Sequence, residues 1–315
     1  MDLPPGYKAS RINRDNYKDF VIIHREAFKS NVRSDFPEKK FDTLKISGVE
    51  NIGYIIYYSD NLPVAYYGVY PVFASIGKKK VLTGQSGDTM TIPAHTGLGL
   101  FISSAQLTHQ LCRQYDIKGV FGFPSPPSFR TFKKKLDWKF NEYIIKYTIK
   151  VPAIPAAYFA EKIKFLRIPY LWWVRMVLLF YRKSDFFEGS VISNGQDGIL
   201  RNRAFWNYKM RSYDIFAIRT GGTEVIIKTN GTLSIGDANI NNETDLRPLL
   251  RSLKILAFLT FNVHIVFCIS EGTLLDKRLG KVKRGTPVLP VGYLNLSEEY
   301  DLSSLKFTYF DFDTF

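Results

Sequence analysis

Apolar and polar positions follow two distinct periods along the first half of this chain, and the switches between them mark its elements. From Asn16 to Phe28 (NYKDFVIIHREAF) apolar residues recur every three to four positions, which predicts an amphipathic helix with Asn13 or Asp15 as its cap. Gly53 to Ser59 and Pro63 to Phe73 read as strands, and Asp60-Asn61 between them predicts a hairpin turn. Val81 to Met90 supplies a third antiparallel strand, ended by Pro93, which has no N–H to give to a ladder. Phe101 to Tyr115 returns to a helical stripe through Phe101, Ile102, Ala105, Leu107, Leu111 and Cys112. Ile117 to Phe123 is a further apolar strand, stopped by Pro124-Ser125-Pro126-Pro127, and Ser128 to Leu136 is a short basic helix.

Between the third strand and the long helix lies Thr96-Gly97-Leu98-Gly99-Leu100-Phe101. Its two glycines permit positive φ and remove the Cβ atoms that would keep a ligand from the backbone. Their N–H groups then lie at a helix N-terminus, which attracts anions such as phosphate. On the loop alone, a tight strand-to-helix turn with no ligand accounts for the pattern equally well.

The order strand, glycine loop, helix, strand, helix, carried by GDTMTIPAHTGLGLF and GVFGFPSPPSFRTFKKKLDW, resembles the acyl-CoA site of the GNAT superfamily N-acetyltransferases. Within it, the chain is similar to a tandem-GNAT bacterial branch associated with surface-polysaccharide genes. The resemblance is specific over about Tyr54 to Trp138. Gly97 and Gly99 match, whereas Thr96 stands where a basic or amide residue opens the loop and Phe101 where a small residue closes it. The resemblance implies acetyl-CoA, or another acyl-CoA, as co-substrate with no metal. Met90, Ile92, Thr96, Gly97, Leu98, Gly99, Leu100, Phe101, Ser128 and Lys133 would hold it, and main-chain groups of Thr89-Met90-Thr91-Ile92 would face the pantetheine and thioester.

Acyl transfer to an amine needs a base, and Asp88 on the third strand is the first choice by the same resemblance. The terminal stretch TYFDFDTF competes for that role through Asp313 and the carboxylate at Phe315; otherwise it docks as a final strand. No tyrosine falls where the family carries its acid, since Lys133 stands there, so thiolate protonation is left to Ser128 or water. The implied reaction is N-acyl transfer to an amino sugar, nucleotide- or lipid-linked, in surface polysaccharide biosynthesis. It would proceed without a covalent acyl-enzyme, because neither cysteine is placed as a nucleophile.

After Gly198 the pattern recurs in outline. Ile215 to Arg219, Glu224 to Lys228 and Thr232 to Asp237 read as strands, Glu243 to Thr260 as a helix and Val263 to Ile269 as a strand. Asp237 falls where Asp88 does, but Ala238-Asn239-Ile240-Asn241-Asn242 has no glycine pair. The expected fold is α+β: two GNAT-like halves, each a mixed, mostly antiparallel sheet flanked by helices. Residues 1–150 would bind acyl-CoA, 151–190 would be a linker with an apolar and basic helix, and 191–315 a second half lacking the glycine loop and completing an acceptor cleft.

A chain of 315 residues, 45% apolar and 15% aromatic, is not a disordered one. Its start, MDLPPGYKAS, lacks a basic stretch followed by an apolar run, so no signal peptide is expected, and the expected location is cytoplasmic. Cys112 and Cys268 read as free thiols of a reducing compartment, and His24, His95, His109 and His264 are too scattered for a zinc site. The net charge of +14 would attract nucleic acid, anionic lipid or phosphorylated small molecules. Its basic residues are dispersed, with clusters at Lys78-Lys79-Lys80, Lys133-Lys134-Lys135 and Lys281, Lys283 and Arg284, so no specific nucleic acid is expected. The loop Ala27 to Thr43 is either a solvated connection, the preferred reading, or a grip on a charged sugar nucleotide.

IPYLWWVRMVLLFYRK, Ile168 to Lys183, is too short to span a bilayer. It reads as a helix enclosed between domains, the preferred position, or as an interfacial helix making peripheral contact with an anionic membrane. Two rival functions remain open at this level: a tandem-GNAT transferase using aminoacyl-tRNA, and a non-catalytic membrane-surface or nucleic-acid adaptor.

Overall fold

The computed structural model describes residues 3–30, 32–59, 61–241, 243 and 245–315, and the chain forms two compact units. The first comprises Met1–Asn141 with Pro290–Ser303, the second Glu142–Leu289 with Ser304–Phe315. The boundary expected at residue 150 thus falls earlier, inside a strand. Residues 151–190 belong to the second unit rather than to a linker, and a distant stretch returns to the first.

The first unit begins with β1 (Tyr7–Arg11), α1 (Tyr17–Phe28), α2 (Phe36–Lys40), α3 (Leu44–Ser47), β2 (Ile52–Tyr58), β3 (Leu62–Ile76) and β4 (Lys79–Thr91). It continues with α4 (Leu100–Gln114), β5 (Gly119–Gly122) and α5 (Pro126–Lys135). β1 to β4 pair antiparallel in sequence order, and β5 joins β4 in parallel after the α4 crossover. The turn between β3 and β4 is made by Gly77 and Lys78, both at positive φ, which suits a tight hairpin. The hairpin turn expected at Asp60-Asn61 includes Asp60, outside the described residues.

Successive β3 residues serve opposite faces of this sheet. Tyr66 and Tyr70 pack with Phe20, Val21 and Ile23 of α1, whereas Tyr67 and Val69 pack with Ala105 and Leu111 of α4. Small α4 residues, Ser104, Ala105 and Thr108, let that helix lie close, and Thr108 Oγ1 reaches the Tyr67 carbonyl at 3.4 Å.

β6 (Lys139–Lys150) carries the chain into the second unit. There follow α6 (Ala156–Lys162), α7 (Lys164–Leu178), β7 (Arg182–Lys183), α8 (Ser190–Ser193), β8 (Gly198–Ile199), α9 (Arg203–Lys209), β9 (Ile215–Thr220) and β10 (Thr223–Thr229). β11 (Leu233–Ala238), α10 (Leu246–Leu259), β12 (His264–Ser270) and α11 (Leu274–Gly280) complete it. Strand order is β6-β12-β11-β10-β9-β7, with β11 and β12 parallel across the α10 crossover. β9, β10, β11, α10 and β12 thus repeat the order of β2, β3, β4, α4 and β5, as the two-halves reading expected.

β13 (Thr286–Asn295) leads back, and its Gly292 to Asn295 pair antiparallel with Gly122 to Gly119 of β5. The residues from Thr308 onward do not form the expected final strand. A 3-10 turn over Tyr309–Asp311, capped by Thr308, places Asp311 against Arg201 instead.

Candidate acyl-CoA site

β4 and β5 pair at only two positions, Gly84 with Val120 and Gln85 with Phe121. β4 then runs on to Thr91 while β5 ends at Gly122, so one edge of β4 loses its partner and its main-chain groups face an opening. Thr89, Met90 and Thr91 line a cleft of about 560 Å³ there. Its other walls are His95, Thr96, Gly97, Gly99, Leu100, Phe101 and Ile102, and Pro127, Ser128 and Thr131 of α5.

The loop geometry answers why glycine stands twice. Gly97 and Gly99 have φ of +82° and +76°, a region that other residues enter at a cost of about 1 to 2 kcal/mol. A Cβ at either would meet nothing within 4 Å, so both positions open onto space. Gly99 caps α4, and Ser103 N–H is the first to reach back, to the Gly99 carbonyl at 3.1 Å. The N–H groups of Leu100, Phe101 and Ile102 therefore have no partner within the helix. They point from the N-terminus of a helix of 15 residues, where a negative group is favoured.

Of the ten residues assigned to the cofactor, Met90, Thr96, Gly97, Gly99, Leu100, Phe101 and Ser128 line this cleft. Ile92 bonds back to Val64 and packs into the core, and Leu98 is exposed. Lys133 does not line it, its ammonium lying over the Phe129 ring at 5.9 Å. By helical spacing Lys135, not Lys133, shares the face of Ser128 and Thr131. Sequence reading missed Thr131 and His95. His95 Nδ1 is hydrogen-bonded to the Tyr7 hydroxyl at 2.7 Å, and only its place in the loop could have flagged it.

Asp88 lies within β4, directly before the cleft-lining residues Thr89 to Thr91, where the β3 ladder slips by one residue and β4 bulges. Its φ of +52° turns its carboxylate toward Lys40 and Tyr70. Lys40 Nζ donates to it at 2.7 Å and the Tyr70 hydroxyl donates to the second oxygen. Lys40 comes from α2, inside the loop expected to be a solvated connection, and both charged side chains are nearly buried. His24 sits beside this pair with its imidazole pKa lowered by burial, and its Nδ1 is hydrogen-bonded to Ser30 Oγ at 2.7 Å. Asp313 and Phe315 lie in the second unit, where the Phe315 ring is packed over β11.

Both cysteines are buried free thiols, with pKa values pushed up by burial to about 12 for Cys112 and about 11 for Cys268. Among the described residues no group of His, Cys, Asp or Glu is placed to hold a metal ion.

No protein-family model and no curated protein matches this chain. Solved structures share its fold. A GCN5-related N-acetyltransferase from Kribbella flavida superposes with TM-score 0.58 at 10% identity, over 92% of this chain and 72% of its own. One from Anabaena variabilis gives TM-score 0.56 at 14% identity, over 92% and 73%. A fungal multi-domain GH3 β-N-acetylglucosaminidase with a GCN5-related glucosamine N-acetyltransferase region gives TM-score 0.53 at 11% identity, over 93% of this chain and 38% of that one. At such identities the likeness is one of architecture: the chain has the fold of the GCN5-related N-acetyltransferases.

Proposed function

We propose that this protein is an N-acyltransferase that moves an acyl group, acetyl by preference, from acyl-CoA to the amine of an amino sugar, nucleotide- or lipid-linked, in surface polysaccharide synthesis. The observation that carries the reading is the open cleft where β4 parts from β5 below the unpaired N–H groups of α4. An acyl-CoA fits its chemistry. The glycines leave room for a pyrophosphate at the α4 N-terminus, and the free edge of β4 offers main-chain partners for a pantetheine arm. When bound, the thioester supplies an activated acyl carbon; everything else falls to the chain.

In this reading Asp88 takes the acceptor's ammonium. The reading is supported by the Lys40 ammonium, an alkylammonium like the proposed acceptor, which donates to this carboxylate at 2.7 Å. A substrate amine that displaces Lys40 would be oriented by Asp88 and lose its proton there, and β4 main-chain donors one to three residues on would face the acyl oxygen. As the C–N bond forms the thioester C–S bond breaks, and the departing CoA thiolate takes a proton from Ser128 or water. The amino sugar is supported by the fungal neighbour with a glucosamine N-acetyltransferase region.

Calorimetric titration with acetyl-CoA and with CoA tests the cleft, alongside Gly99→Glu, whose carboxylate would repel a pyrophosphate. Micromolar binding that the variant loses is the expected result; no binding by the unaltered protein would remove the assignment. Asp88→Asn should then keep CoA affinity while turnover on a responsive amino sugar falls about 10²- to 10⁴-fold.

A further inference from the structure

A soluble amphipathic helix turns its apolar side inward. α7 does so with Leu171, Val174 and Val177, yet its opposite side is apolar as well. Phe165, Ile168, Trp172, Met176 and Leu179, spaced three and four apart, form one outward stripe, continued by Phe180. Phe165 is 76% exposed, Trp172 64% and Phe180 90%. The enclosed helix expected from the sequence is therefore open to solvent along this stripe.

The patch extends beyond one helix. Trp173 Nε1 donates to the Leu259 carbonyl at 2.8 Å and its ring stacks on Phe261, which joins α7 to the C-terminal end of α10, where Ile255 and Phe258 are also exposed. Between α6 and α7 opens a groove of about 490 Å³, lined by Ile154, Phe159, Ile163, Leu166 and Trp173 among others.

Charge decides what covers this face. From Lys162 to Ser184 the chain has six Lys and Arg and no Asp or Glu. Arg167 is paired with Glu161 and Asp214, while Arg175, Arg182 and Lys183 make no ion pair among the described residues. A second copy of the same face would bring like charges together, whereas an anionic bilayer would neutralise them as the aromatic stripe enters the headgroup layer. No helix among the described residues is long and apolar enough to cross a membrane, so the contact would lie in the surface plane.

We propose that α7, with α6 and the end of α10, is a docking face for an anionic lipid surface. Flotation of the full-length protein with phosphatidylcholine vesicles, and with vesicles containing phosphatidylglycerol, tests this without reference to acyl transfer. Binding to the phosphatidylglycerol vesicles alone, weakened by salt, is expected. Trp172 and Trp173 should shift to shorter emission wavelength and be quenched by brominated lipid, since the other two tryptophans, Trp138 and Trp206, are buried. Trp172→Glu with Phe180→Glu should abolish flotation, and Arg175→Gln and Arg182→Gln should each weaken it about fivefold. The proposal is overturned if the unaltered protein floats with neither vesicle. It is also overturned if the double glutamate variant floats as well as its parent, or if these residues mediate a dimer that ignores lipid.

Discussion

The two units carry the same strand-helix-strand motif and have finished it in opposite ways. In the first, β4 bulges at Asp88 and Thr89 and leads through a glycine loop into α4, and the space beside the strand is left open. In the second, β11 bulges at Gly236, next to Asp237, and leads into α10, but the space is filled. The Phe315 ring lies where a Cβ on Gly236 would come within 2.7 Å of it, and Ile240 of the connecting loop is buried. The two aspartates differ accordingly. Asp88 is paired with Lys40 and with the Tyr70 hydroxyl, and in the proposed reading a substrate amine takes the lysine's place. Asp237 is fully buried against Arg201 at 2.5 Å, with Ser190 Oγ donating to it at 2.6 Å, and Arg201 also forks onto Asp311 at 3.0 Å and reaches Thr308. Aspartates at equivalent bulges thus take different partners in the two units, a lysine and a tyrosine at Asp88 and a buried arginine at Asp237.

The largest expected effect tests the architectural role. Arg201→Met would strand two buried carboxylates and cost about 3 to 5 kcal/mol. Chemical unfolding should show this as a collapse of the second unit, reported by Trp206; a loss below 1 kcal/mol would make the network incidental.

Next comes a proton that the folded first unit refuses. His109 on α4 is buried with Nε2 3.1 Å from the Tyr67 hydroxyl, and desolvation pushes its pKa down to about 3. Between pH 6.5 and 3 the unfolded chain binds a proton there that the folded one does not, so stability falls as pH drops through this window. At pH 5 the loss relative to pH 7 is about 2 kcal/mol, and His109→Gln should remove it from the urea midpoints. An unchanged slope would mean that the imidazole is already solvated.

The smallest effect contrasts two glycines. Gly99→Ala should cost about 1 kcal/mol through φ alone, since nothing stands near its Cβ. Gly236→Ala should cost about 1 to 3 kcal/mol through collision with the Phe315 ring. Equal losses, with Phe315→Ala failing to relieve the second, would erase the distinction between open and filled.

Much of the motif was legible because its signals are local. The alternation through β2, β3 and β4, the stripe of α4 and the punctuation at Gly97, Gly99 and Pro124 all lie within short windows. What escaped depends on distant pairing. Lys40 looked like a loop charge until α2 folded over Asp88, 48 residues on. Asp311 read as part of a docking final strand, and its partner Arg201 lies 110 residues earlier. The return of Pro290–Ser303 to the first unit follows from β5 having a second edge to satisfy, and no window of the sequence contains both partners.

That returning strand bears on how the protein is made. During synthesis the first unit's sequence is nearly complete when Asn141 leaves the ribosome, but the segment that closes β5 arrives about 150 residues later, at roughly 5 to 20 residues per second. For that interval Gly119–Gly122 presents an unpaired edge, and Gly119 lacks the Leu302 side chain that lies 2.6 Å from where its Cβ would be. The nascent chain is therefore open to mispairing at the β5 edge until the returning strand arrives, and a gene cut at residue 150 would leave that exposure permanent.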